Sequence, residues 1–313
     1  MKRLSILLIA LCLPACADMQ RAGPARSARS AVVAEPVLKG EFDNHEQVWL
    51  AREAGANAVA PPHVVVTIEP AQAEWSIWHI RLDATPPLEA TWAMRKTAAS
   101  DGTATWTPHH ALGAAPAAAA KFDAQQWTAL DACALRGTVS AAGWKAQADV
   151  AACTALAPGV GGQAALLPLE VERNGDMLRI RLYADQARGA DAREDARLVR
   201  WFGGWAAVNG AGPKAGAENS DWHMDRALRL GSEGGRYTLK WRDGAASGYS
   251  LGLERLTYRD GNVPVLKLSI VDDSDGRTLA YSWANPEATR IGINLGWVQV
   301  GLQSETEGVA AAK

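Results

Sequence analysis

Residues 166–184 read LLPLEVERNGDMLRIRLYA. Leu169, Val171 and Arg173 alternate with Glu170 and Glu172, and Leu178, Ile180 and Leu182 return in the same rhythm. A period of two gives each arm one apolar face and one charged face, as expected of antiparallel strands buried on one side. Asn174-Gly175 lies between the arms, and that dipeptide predicts a type I′ hairpin turn.

The same pattern extends in both directions. Upstream, Pro61-Pro62 precede HVVVTI (residues 63–68), a β-branched strand. In EWSIWHIRL, Ser76, Trp78, Ile80 and Leu82 form a more apolar face than Trp75, Ile77, His79 and Arg81. ATWAMRKTAA and TATWTPHHAL flank Ser100-Asp101-Gly102, a hairpin signal. A loop and a short helix, with Asp123 as its cap, fit the Ala-rich run that follows. CALRGTVSA and GWKAQADVAA read as strands around Ala142-Gly143. From about Asp221, GRYTLKW, GYSLGLERLTY, VPVLKLSIV, RTLAYSW and TRIGINLGWVQVGL are separated by Gly, Asp and Asn turns. The sum is an all-β antiparallel protein, sandwich or barrel. Strand–helix–strand alternation is missing, which argues against a nucleotide-binding α/β fold.

The N-terminus has a basic pair, Lys2 and Arg3, then an apolar run from Leu4 to Leu13 that is too short to span a bilayer. Leu13-Pro14-Ala15-Cys16 resembles a bacterial lipoprotein cleavage box, so residues 1–16 read as a signal peptide with lipid attached at Cys16. An ordinary secretory signal is the alternative. Ala17 after the Cys favours the outer membrane, and residues 17–36 read as a flexible tether. The expected location is the periplasmic face of the envelope. Cys133 and Cys153 then remain for the folded body, and in an oxidising compartment an isolated pair most simply forms a disulfide. A net charge of -2 gives no basic face for nucleic acid. Thirteen Trp against three Phe suit a pocket wall, a sugar platform or a β core.

Motifs that carry chemistry are scarce. The chain has no H-E-x-x-H. His109-His110 are adjacent, so on a strand they point to opposite faces and cannot share a metal; they read as surface or loop residues. VDDSDG (residues 271–276) has Val where the first calcium ligand belongs and reads as a β-turn. Asp185, Asp191, Glu194 and Asp195, interspersed with Arg188, Arg193 and Arg197, read as a solvated charged face rather than paired catalytic carboxylates. In VLKGEFDNHEQVW (residues 37–49), Asp43 and Glu46 have the spacing of a capping box opening a short helix.

That last stretch also resembles a family motif. GEFDNHEQ is similar to the G-x-F-[SD]-N-x-x-Q segment of the CpcT/CpeT-type chromophore (bilin) lyases. CALRG and GWKAQADVAAC resemble that family's paired-Cys segment, and residues 166–204 its closing hairpin; the likeness covers about residues 38–212. It implies a calycin-like antiparallel barrel (residues 37–213), with residues 219–304 as a further β domain or a barrel extension. Gly40, Phe42, Asn44 and Gln47 would form the structural motif, with Phe42 buried and the two amides bonded to neighbouring backbone. The barrel would hold a bilin (linear tetrapyrrole) or another apolar or amphipathic small molecule, with Trp75, Trp78, Trp92, Trp106 and Trp201 as wall residues and Arg95 meeting a carboxylate. Lyase activity, attaching the bilin to a Cys of a phycobiliprotein, is one alternative. A structural envelope protein binding glycan or protein through Trp241, Trp283 and Trp297 is the other.

Overall fold

The computed structural model describes residues 38–305 apart from 56–58, 100, 114–118, 141–142, 217 and 259–261. The signal peptide, Cys16, the tether, and the turn residues Ser100 and Ala142 lie outside the described residues.

The deciding hairpin is present. Strands β9 (Pro168–Asn174) and β10 (Met177–Leu182) pair with Val171 opposite Ile180, and Leu169, Val171, Leu178, Ile180 and Leu182 are all buried. The two loop residues are Gly175 and Asp176, because Asn174 already pairs with Met177. Only Gly175 has a positive φ (+58°), the first-position pattern of a type II′ turn rather than the expected I′.

Around this hairpin the alternating segments close a barrel. Its other strands are β1 (Gly40–Asp43), β2 (Val64–Pro70), β3 (Trp75–Leu82), β4 (Leu88–Ala98), β5 (Thr103–Ala111), β7 (Leu135–Ser140), β8 (Gly143–Gln147) and β11 (Glu194–Leu198), with the short β6 (Trp127–Ala129) paired outside. The order β4-β3-β2-β1-β11-β10-β9-β8-β7-β5 returns to β4 through a β4–β5 ladder, a closed ten-stranded antiparallel cylinder. Closure leaves no free edge among those strands. Helix α1 (His45–Glu53) follows β1 directly, and a disulfide joins Cys133, just before β7, to Cys153 in helix α2 (Val150–Leu156). The segment GWKAQADVAA is therefore strand only to Gln147: Asp149 accepts from the Ala152 N–H (3.1 Å) and starts α2. Asp123 caps its 3-10 turn as read, accepting from Gln125 N–H at 3.0 Å.

The boundary expected near residue 213 lies earlier. Leu198 still pairs with Phe42, but β12 (Trp201–Asn209) pairs with β13 (Trp222–Gly231) and β19 (Val298–Ser304). With β18 (Arg290–Asn294) these make one four-stranded sheet; β14 (Glu233–Lys240), β15 (Ala246–Tyr258), β16 (Val263–Asp272) and β17 (Thr278–Ala284) make another. Phe202, Leu230, Leu251, Leu268, Val298 and Leu302 share one core between the sheets, so residues 201–304 form a sandwich rather than a barrel extension. The switch falls at Val199-Arg200, where the chain leaves the barrel ladder.

Candidate binding surfaces

The motif residues meet at the barrel base. Phe42 is fully buried, and Asn44 is 0% exposed. Asn44 Oδ1 accepts from Val64 N–H (2.7 Å), and its amide protons are shared among the Pro62 carbonyl (2.8 Å), Gln47 Oε1 (3.0 Å) and Glu194 Oε2 (2.9 Å). Gln47 donates to the Arg193 carbonyl (2.9 Å) and accepts from Asp195 N–H (3.1 Å). One amide thus ties β1, β2 and β11 together, and the next ties α1 to β11. Gly40 has φ +116°, where a side chain is strained, and an added Cβ would also push against Leu198 Cδ1 at 2.5 Å.

Two readings of this region are corrected. Asp43 accepts from His45 N–H (2.7 Å), but Glu46 turns to Arg197 instead of completing a capping box. Asp185 and Glu194 are not solvated: they are 1% and 0% exposed, and Arg188 bridges them. Burial raises both carboxyl pKa values, with Arg188 opposing. The spacing of charges resembled a wet face because it could not show that Arg188 folds inward.

The expected wall residues divide. Trp78, Trp92 and Trp106 point inward with Trp144, and none of the four is more than 5% exposed. Trp106 and Trp144 stack at 4.4 Å, Trp78 lies 6.4 Å from Trp144, and the Trp92 N–H donates to the Leu166 carbonyl (3.0 Å). These rings, with Phe42, Met94, Leu135 and the β9–β10 leucines, meet across the cylinder. The hollow, Trp-lined interior is therefore replaced by a filled core. Trp75 lies on the outer wall against His109 (4.7 Å) and Phe122 (5.0 Å), with the Arg95 guanidinium 5.7 Å from its ring centre. Arg95 also faces Glu74 (3.4 Å), so it does not point into the barrel. Trp201 opens the sandwich, under Arg229 at 3.8 Å. His109 is a strand residue, 8% exposed, not a surface one, and burial lowers its pKa. The 271–276 turn is closed by Gly276 N–H to the Asp272 carbonyl (2.8 Å).

Of the three sandwich Trp residues, Trp297 is buried at 7% and Trp241 is half-buried, whereas Trp283 is exposed. Trp283 belongs to a row that sequence reasoning missed. Trp49 of α1 meets Tyr258 edge-on (5.6 Å), Tyr258 meets Trp283 (5.5 Å), and Trp283 stacks on Tyr281 at 5.1 Å and 26°. Tyr281 and Trp283 are 55% and 54% exposed. Beside them on the same face, Lys267 pairs with Glu254 (3.4 Å), which His45 also meets (3.2 Å). Alternation in RTLAYSW could have placed the two rings on one side; it could not show which side was outside.

At the same end of the barrel, His63 lies between Asp43 and Asp83, each 2.7 Å from one ring nitrogen. The bond to Asp43 is the main reason its pKa rises to about 9, against opposing desolvation. No nucleophile is bonded to that ring among the described residues, and none of their His, Cys, Asp and Glu side chains form a group of three or more able to hold a metal. No described helix is long and apolar enough to cross a membrane. No family model, no curated protein and no solved structure matches the chain.

Proposed function

We propose that this protein is a lipid-anchored envelope protein that binds glycan strands, without catalysis, through the aromatic row on its sandwich. The carrying observation is the Tyr281–Trp283 pair: two large rings left half in water on an outer sheet face. Exposed aromatic surface of this kind marks an interaction site more often than a structural one. Aromatic faces offer apolar contact to the C–H faces of sugars, and the Lys267–Glu254–His45 group beside them offers hydrogen bonds to hydroxyls. The signal-like N-terminus, with its Cys16 box, supports an envelope location, where peptidoglycan is an abundant glycan.

The test is co-sedimentation of the full-length protein with purified peptidoglycan. Retention should be lost in Trp283→Ala and Tyr281→Ala, both at exposed sites that leave the two cores intact. Equal retention of wild type and both variants, or none by wild type, would overturn the reading. Replacing Cys16 with Ser should separately move the protein from the membrane to the soluble fraction.

A second reading concerns the barrel. Burial of Phe42 and the amide bonds of Asn44 and Gln47 agree with what likeness to the CpcT/CpeT-type lyases implies. We infer that the barrel is of that kind, serving here as a solid scaffold rather than a bilin holder, because its interior is occupied by its own rings. Saturable quenching of the wild-type protein by biliverdin, or transfer of a bilin to a biliprotein Cys, would refute the scaffold role.

A further inference from the structure

The two sheets of the sandwich exchange the chain at Gly231–Glu233, where β13 passes into β14. No ladder joins these two strands, since each is the edge of its own sheet. At the end away from the bend, the edges leave a cleft of about 490 Å³ between Trp222 and Trp241. That volume suits one small ligand. His223 stands edge-on to Trp241, with ring centres 5.6 Å apart.

The charges in this cleft do not balance. Asp225 is engaged by the Tyr237 hydroxyl, and Asp221 by His223 (3.4 Å) and Arg242 (3.5 Å). Arg226 and Lys240 also line the cleft, both exposed, and neither has a carboxylate partner among the described residues. Each could give charge-assisted hydrogen bonds to an oxyanion. The indole of Trp241 supplies an apolar wall beside them.

We propose that this cleft binds a sugar ring that carries an oxyanion, either a carboxylate or a phosphate. The ring lies against Trp241, and the anion lies between Arg226 and Lys240. The site is separate from the Tyr281–Trp283 row: β14 and β17 are opposite edges of the same sheet, so the two can be tested independently.

The experiment is calorimetric titration of the full-length protein with glucuronate, glucose 6-phosphate and glucose, with Trp fluorescence as a second readout. At least one anionic sugar should bind saturably and about tenfold or more tighter than glucose, with an affinity that falls as salt is raised. Which of the two binds tells carboxylate from phosphate. The double variant Arg226→Ala/Lys240→Ala should lose about tenfold or more of that affinity, as expected for removing charge-assisted contacts. Both side chains are exposed, and an unchanged melting temperature will show that the variant is folded. The single variant Trp241→Phe, which keeps an aromatic wall, should retain the preference for anions. No saturable binding of either anion, glucose binding equal to theirs, or full affinity in the double variant would overturn the proposal. Loss of peptidoglycan retention in Trp283→Ala with anion binding intact would confirm that two sites exist.

Discussion

Arg197 of the barrel reaches Glu233 of the sandwich, with Nη1 3.5 Å from the carboxylate, while its Nη2 holds Glu46 of α1. One guanidinium therefore joins the barrel, the helix and the second domain. Asp176 of the hairpin turn lies 3.8 Å from its Nε and 3.0 Å from Arg255 of β15, which extends the network. Glu46 Oε1 is buried and has no hydrogen-bond partner, so Glu46 depends on Arg197 for compensation. Replacing Arg197 with Ala should destabilise the protein by about 3 to 5 kcal/mol, the cost of leaving a buried ion without its partner. Denaturant unfolding measures this, and a loss within error would show that the junction tolerates the unpaired charge.

Glu233 itself makes the junction sensitive to pH. Burial pushes its carboxyl up to about 8, and Arg197 only partly offsets this. A carboxyl whose folded pKa exceeds its unfolded one stabilises most below the unfolded value, near 4.5, and that contribution is lost as pH rises through about 8. Glu233→Gln should therefore be near neutral below about pH 4.5 and raise the melting temperature relative to wild type by an amount that grows as pH rises toward about 8. Parallel melting curves for the two proteins across that range would contradict the raised value.

His63 adds a second loss in the alkaline direction. Asp43 and Asp83 together favour the imidazolium, so the folded pKa of about 9 lies above the ordinary 6.5. The stabilisation is complete below 6.5 and disappears as pH rises through about 9. The ring is a quarter exposed, so screening reduces the gain to about 1 to 2 kcal/mol. NMR titration of the His63 ring in the native protein reads the pKa directly, and a midpoint near 6.5 would refute the bridged geometry.

Much of the fold was legible because the alternation of period two survives wherever a strand has one wet face. Ser76 and Leu82 share the inner side of β3 with Trp78, as their spacing requires. The boundary at Val199-Arg200 was not legible: ARLVRWFGGWAAV is one uninterrupted strand-like run, and only long-range pairing of Leu198 with Phe42 and of Phe202 with Ser304 divides it. Filling of the barrel was hidden for a similar reason. A Trp that faces inward reads the same in sequence whether it meets a ligand or Trp144. The Asn44 network was legible only through a resemblance, since its partners Glu194 and Arg193 lie about 150 residues away in sequence.

Asn44 should be the most sensitive polar position. Asn44→Ala leaves the buried Val64 N–H without its acceptor and Glu194 with one donor fewer, at a cost of about 3 kcal/mol. Asn44→Asp keeps the acceptor for Val64 but puts a second carboxyl beside Glu194, so it should also destabilise, and less at acid pH where the pair can hold a proton. Chemical denaturation at two pH values separates these effects. A stable Asn44→Asp at neutral pH would mean that the contact with Glu194 contributes nothing.

Trp144 decides whether the barrel is solid by necessity or by accident. Its ring is the piece that touches both Trp106 and Trp78, so truncation removes the middle of the interior aromatic cluster. Trp144→Ala should cost about 3 to 5 kcal/mol, because the surrounding strands are held in a closed ladder and cannot collapse to fill the space. The resulting cavity is lined by Trp78, Trp106 and aliphatic side chains, so it should accept an apolar dye that the wild type excludes. Dye fluorescence below the unfolding transition measures that difference. Equal dye uptake by wild type and variant would show that a guest already has room between these rings, and the filled-core account would fail with it.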